Sequence, residues 1–169
     1  VRARKMLDSE GLDVALVNMN YYNIEKYNRL KMMEDQTILC VSHTHRLAKE
    51  KNVTFDMLSD EKLIMYNTDS AQNDMILSRF HSMQIQPNIL MYCSQLYTTL
   101  NFVRKGDCAA FLYSSLAVNP RDFVQIPLEP RLSTDFGMIW KKDAFTPLRT
   151  SKFIDFASGY DITPYLPTL

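Results

Sequence analysis

A chain of 169 residues with 46% hydrophobic and 22% charged side chains has the make-up of an ordinary globular protein, one medium domain or two small lobes. Nineteen basic residues cancel nineteen acidic ones, which argues against a surface that binds bare nucleic acid, because phosphate neutralisation calls for excess Lys and Arg. No apolar run reaches the roughly 20 residues that cross a bilayer, and Val1-Arg2-Ala3-Arg4-Lys5 opens without the apolar stretch of a signal peptide.

Residues 1–9 read as a helix with Met6 and Leu7 inward and Arg2, Arg4 and Lys5 outward, ended by Gly11, a residue able to take positive φ. Asp13–Val17 follows as a strand covered on both faces. Residues 18–36 are polar and rich in tyrosine (Tyr21, Tyr22, Tyr27), and read as a loop with one short turn or strand at Tyr27–Met32. Thr37–Val41 is the next strand, and Thr54 is placed to cap a brief helix over Phe55–Leu58. Lys62–Tyr66 is a strand, then Asn67-Thr68-Asp69-Ser70 makes a polar turn. A helix over 70–83 carries Ile76, Phe80 and Met83 on one face, with Asp69 and Gln72 in capping-box spacing.

Beyond Pro87, Ile89–Tyr92 is a strand, and Ser94 is placed to cap a helix with Leu96, Leu100 and Val103 on one face, closed by Gly106. Ala109–Leu112, Phe123–Ile126 and Phe136–Trp140 are three further strands. A helix within Phe145–Gly159 carries Phe153, Ile154 and Phe156 and precedes an irregular tail with prolines. Strands alternate with helices throughout, so the expected class is α/β with a largely parallel sheet.

Cys40, Cys93 and Cys108 are odd in number, widely spaced and set in apolar stretches, the pattern of reduced thiols in a cytosolic protein. His43-Thr44-His45-Arg46 reads as a polar loop, and neither metal nor cofactor is expected. The chain has no G-x-S-x-G, no phosphate-loop motif and no G-x-G-x-x-G, and only four glycines, so the residues do not suggest an enzyme.

Four segments in order resemble a known family. Glu10-Gly11-Leu12-Asp13-Val14-Ala15-Leu16 is similar to the "G-x-LD-x-A-[IL]" segment of the effector-binding domain of LysR-type transcription regulators. Leu39–Ala48 resembles the following strand and "HPLA" loop, and Phe55-Asp56-Met57-Leu58 sits at the family's "L-x-DL" turn. Phe102–Ala117 is similar to "LVAAGLGIALLPRSLA", with Ala109 or Ala110 at the usual glycine and Tyr113 at the usual proline. These departures bear on ligand identity more than on fold. The family's first strand and helix, and its DNA-binding helix-turn-helix, find no match.

The resemblance implies a two-lobed fold like the type 2 periplasmic binding proteins, with mostly parallel sheets and two crossovers. Lobe I would be 1–41 with 137–169 and lobe II 42–136, hinged near Val41–His43 and Asp135–Gly137. It further implies a cytoplasmic homodimer or homotetramer that takes a small-molecule effector between its lobes, meets DNA only through the helix-turn-helix, and does not touch membranes. An extracytoplasmic solute-binding protein of the same fold is the alternative. A cysteine pair of the kind oxidant-sensing members carry near 67–75 is missing from this stretch.

Ligands of open α/β sheets sit at strand carboxyl ends, where helix N-termini offer N–H groups and a positive dipole end. Three junctions qualify: Asn67-Thr68-Asp69-Ser70, Cys93-Ser94-Gln95 and Asn18-Met19-Asn20. The resemblance adds Tyr113 at the end of the Leu112 strand. The effector-binding candidates are therefore Asn18, Asn20, Asn67, Thr68, Asp69, Ser70, Ser94, Gln95 and Tyr113. Structural roles compete: Asp69 and Ser94 as helix caps, Asn18 and Asn20 as turn residues, Tyr113 as packing. Asp69 would oppose an anion, which favours a neutral or amine-bearing effector. Trp140 beside the second crossover reads as a core residue.

Overall fold

The computed structural model describes residues 2–9, 11–21, 24–116 and 119–162. Tyr22, Ala117 and the tail from 163 lie outside the described residues, as do the side chains of Arg2, Arg4 and Tyr21. In chain order the elements are α1 (Arg2–Asp8), β1 (Val14–Asn18), β2 (Tyr27–Val41), β3 (Val53–Thr54), β4 (Lys62–Met65), α2 (Ala71–Ser82), β5 (Asn88–Tyr92), α3 (Leu96–Arg104), β6 (Ala109–Tyr113), β7 (Val124–Lys141) and α4 (Leu148–Ser158), with short 3-10 turns between some of them. The chain divides into two units, one running to Asp35 and resuming at Thr134, the other Gln36–Ser133.

In the first unit β1 pairs antiparallel with the end of β7, Val14 opposite Trp140 and Asn18 opposite Phe136. Leu7, Ala15, Val17, Met19, Tyr27 and Ile139 form its core. The Tyr27 hydroxyl donates to the Asp8 carboxylate at 2.6 Å, tying α1 to β2. Gly137 is buried where β7 passes close to β2. A Cβ there would collide with the Leu30 carbonyl oxygen and the Met19 sulfur. Lys31 pairs with Asp135 and Glu34, and these hydrogen bonds, Asp135 first, raise its pKa.

In the second unit β2 and β6 are antiparallel, while β6, β4 and β5 run parallel in that order. The two-residue period of a strand sends neighbouring side chains to opposite faces. Leu39, Leu63, Met65 and Phe111 accordingly join Ile76 and Phe80 of α2 in one cluster, around Phe55. Ile38, Cys40, Ile64, Ala110 and Leu112 join Leu100 and Val103 of α3 in another. Phe55 meets Phe80 edge-on, ring centroids 4.9 Å apart. A polar clamp sits beside this core: His45 Nε2 is 3.0 Å from Glu61, the His45 Nδ1 accepts from the Leu47 amide, and Arg46 holds the other Glu61 oxygen.

Several expectations need correction. The expected loop over 18–36 is a strand from Tyr27 on, continuous with 37–41; from Asn28 to Met32 it alternates between half-buried and exposed positions, so polar residues occupy it without breaking it. The strands expected at Phe123–Ile126 and Phe136–Trp140 are one strand, β7, carried through Pro127 and Pro130; proline is tolerated where a ladder does not need its N–H. Among the described residues β3–β7, β4–β5 and β4–β6 pair parallel and β1–β7 and β2–β6 antiparallel, so the sheet is mixed.

β1 is not covered on both faces: it is an edge strand, and Leu16 at its centre is 69% exposed. Phe145, Leu148, Phe153 and Phe156 of the same unit are also exposed. The Gly11 amide donates to the Met6 carbonyl at 2.8 Å where α1 ends, and Gly106 beyond α3 has a positive φ of 91°. Thr54 lies in β3, and the turn at Asp56–Leu58 begins at Phe55 without a side-chain cap. Met83 is exposed beyond the end of α2. Among the described residues no helix is long and apolar enough to cross a membrane.

Candidate functional site

Parallel β4, β5 and β6 end on one edge of the second unit, and that edge gathers seven of the nine expected residues. Met65 pairs with Tyr92, and the Cys93 amide donates to the Met65 carbonyl at 2.9 Å, so the turn after β4 lies beside the turn after β5. β6 runs on the other side of β4, Ile64 opposite Ala110, and ends at Tyr113. Asn67–Ser70, Ser94, Gln95 and Tyr113 therefore share this edge, with the N-termini of α2 and α3.

Neither expected cap holds. Ser70, not Asp69, caps α2, its hydroxyl accepting from the Asn73 amide at 3.1 Å. Gln95, not Ser94, is the N-cap of α3 and makes no side-chain cap bond; its side chain instead accepts from the Thr98 hydroxyl at 3.2 Å. Asn67, Thr68, Asp69, Ser94 and Gln95 are exposed, and Tyr113 is half-buried.

Asn18 and Asn20 belong to the first unit. The Asn18 Oδ1 accepts from the Asn20 amide at 3.0 Å, and the Asn20 Oδ1 accepts from the Asp135 amide at 2.6 Å. Both thus serve the turn after β1, as the structural alternative holds. Asn18 is nevertheless buried, and its Nδ2 has no hydrogen-bond partner.

Buried polar atoms are nearly always partnered in folded proteins. Among the described residues four side-chain atoms are not: Asn18 Nδ2, Thr37 Oγ1, Gln72 Nε2 and Asn73 Oδ1. Three belong to the second unit. Gln72 and Asn73 stand in the first turn of α2, and Thr37 lies opposite Tyr113, the last residue of β6. None of the three was singled out as a binding residue from sequence. A signal existed: Asn73, Ile76 and Phe80 follow helical spacing, and so do Gln72 and Ile76, which puts two amides on the apolar face.

No Lys, Arg or His occurs in 36–37, 66–73, 92–98 or 113–116, so these segments offer hydroxyls, amides and the Asp69 carboxylate. Cys40 and Cys108 are buried; burial pushes the Cys40 thiol up to about 12 and raises Cys108, helped there by Asp107. Among the described residues no group of three or more His, Cys, Asp or Glu gathers as a metal site would. A cavity of about 270 Å³ in the first unit is lined by Leu7, Asp13, Trp140, Phe145 and Thr150, with none of the nine expected residues.

The sequence matches the family described as the LysR substrate binding domain over residues 2–160. It is 21% identical over 163 residues to the HTH-type transcriptional regulator YwbI of Bacillus subtilis, covering 95% of this chain and 54% of YwbI. The chain thus spans about half the length of that relative. The regulatory domain of CcmR from Synechocystis, solved with 2-PG, superposes with a TM-score of 0.82 at 13% identity, covering 95% of this chain and 78% of that one. The effector binding domain of QuiR, solved with shikimate, gives 0.78 at 22% identity, covering 96% and 78%. Reduced OxyR gives 0.70 at 22% identity, covering 92% and 73%. The fold is the type 2 periplasmic-binding-protein-like one, as the resemblance implied. The chain belongs to the LysR substrate-binding domain family.

Proposed function

We propose that this domain senses a small-molecule effector for a LysR-type bacterial transcription regulator. The observation that carries the reading is the set of buried, unpartnered polar groups at the carboxyl edge of β4–β6, with Asn67, Thr68, Asp69, Ser70, Ser94, Gln95 and Tyr113 around them. Asn18 and Asn20 supply a second polar surface on the other unit. Family membership and the ligands held by the CcmR and QuiR domains support the same reading over an extracytoplasmic solute-binding protein. In this reading the whole protein is a cytoplasmic homodimer or homotetramer, reaches DNA through a helix-turn-helix domain, as the name of YwbI suggests, and catalyses no reaction.

Sensing needs differential affinity for two conformational states. A ligand that prefers one state about 100-fold shifts the balance by about 2.7 kcal/mol. At 100 times its Kd it adds a similar stability, a melting rise of roughly 5–10 °C for a chain of this size. The test is a melting survey of the chain against a metabolite panel that includes shikimate and 2-PG. A saturable rise with at least one compound, recovered unchanged, is expected. No saturable response across the panel, or conversion of the bound compound, overturns the reading.

A further inference from the structure

We propose that Gln72, Asn73 and Thr37 are specificity-determining residues that recognise an uncharged, hydroxyl-bearing part of the effector; this rests on the sensing function above. The three residues are only 4%, 2% and 1% exposed, yet Gln72 Nε2, Asn73 Oδ1 and Thr37 Oγ1 lack partners. Helical side chains tilt toward the helix N-terminus. Gln72 and Asn73, in the first turn of α2, are thus directed to the edge where β4 ends and α2 begins. Thr37, opposite Tyr113, brings a hydroxyl to the same edge from β2.

The three groups suit a ligand hydroxyl. Gln72 Nε2 is a donor, Asn73 Oδ1 an acceptor, and a hydroxyl both accepts and donates. An anion would gain from the positive end of α2 but would find no cationic side chain in the edge segments, and Asp69 stands beside it. An ammonium would find an acceptor in Asn73 but would face the Gln72 donor and the same helix end. The uncharged group is the one that neither arrangement penalises.

A buried donor without a protein partner contributes nothing to the ligand-free fold, and its removal separates binding from folding. Gln72→Met keeps the length of the side chain and deletes the amide. The melting temperature of the free chain is expected to stay level or rise, whereas Ser70→Ala, which removes a made capping bond, lowers it by about 2–4 °C. A fall for Gln72→Met equal to that of Ser70→Ala overturns the proposal and leaves effector sensing standing.

The ligand class is read by titrating the wild-type chain and Gln72→Met with myo-inositol, erythritol and ribose, and with inorganic phosphate. At least one polyol should bind the wild type saturably and lose affinity by about tenfold or more in Gln72→Met. Equal binding to both chains removes the role of Gln72. Saturable phosphate binding without a polyol response, or no response to any of the four, overturns the ligand class. Neither outcome touches the metabolite survey, which tests sensing by itself.

Discussion

His45 Nε2 lies 3.0 Å from a carboxylate oxygen of Glu61, and both side chains are buried. Because the His45 Nδ1 accepts from the Leu47 amide, the ring proton sits on Nε2 and points at Glu61. His45→Ala would leave the buried carboxylate with Arg46 alone, whose side chain is largely exposed. Losing one partner of a buried pair is expected to cost about 2–3 kcal/mol. Urea unfolding should show a lower midpoint with an unchanged slope.

Gly137 has the least room of the three glycines in the first unit. Gly137→Ala forces its methyl against the Leu30 carbonyl and Met19. The loss should be at least about 2 kcal/mol, since the clash involves backbone that cannot rotate away. Met19→Ala in the same background relieves only the sulfur contact, so the double variant should recover little of the loss in a denaturation series.

Removing the Tyr27 hydroxyl breaks its 2.6 Å bond to Asp8 while keeping the buried ring. Tyr27→Phe should cost about 1 kcal/mol. Amide exchange in α1 should rise more than exchange in α2, because the bond joins α1 to β2.

The thiols should behave in two classes. Cys93 is partly exposed and should alkylate first at pH 8, while Cys40 and Cys108 wait for unfolding, which mass spectrometry of timed labelling resolves. Burial raises the Cys40 pKa from 9.0 to about 12. Below pH 9 both folded and unfolded chains keep this proton, so nothing changes. Above it the unfolded chain ionises first, and stability falls by about 1.4 kcal/mol per pH unit until the folded thiol also ionises. Cys40→Ala should flatten that part of the alkaline profile.

Much of the second unit was legible in the sequence because its signals are local. Short apolar runs at 62–66, 89–92 and 109–112, and the Gly106 stop, reach within a residue or two of β4, β5, β6 and the end of α3. The long strands were not, because Tyr27–Asp35 carries charges that only a half-exposed strand accommodates, and Pro127 and Pro130 read as breaks. At the candidate site, Asn67, Ser94 and Tyr113 could be placed on one edge from the order of parallel strands. Gln72 was hidden by its own spacing from Asp69: a capping-box reading gave it a role at the helix surface, and only the tertiary structure shows its amide buried without a partner.

Leu16, Phe145, Leu148, Phe153 and Phe156 meet solvent on the first unit of a chain whose charges balance, with a pI near 7.0. Electrostatic repulsion is weakest where sticky side chains are left bare, so colloidal behaviour is poorest around neutrality. Prepared alone, this polypeptide should cloud first near pH 7 and clear on moving two units either way, and a charged residue in place of Phe145, which is 91% exposed, should widen the usable range without loosening the core.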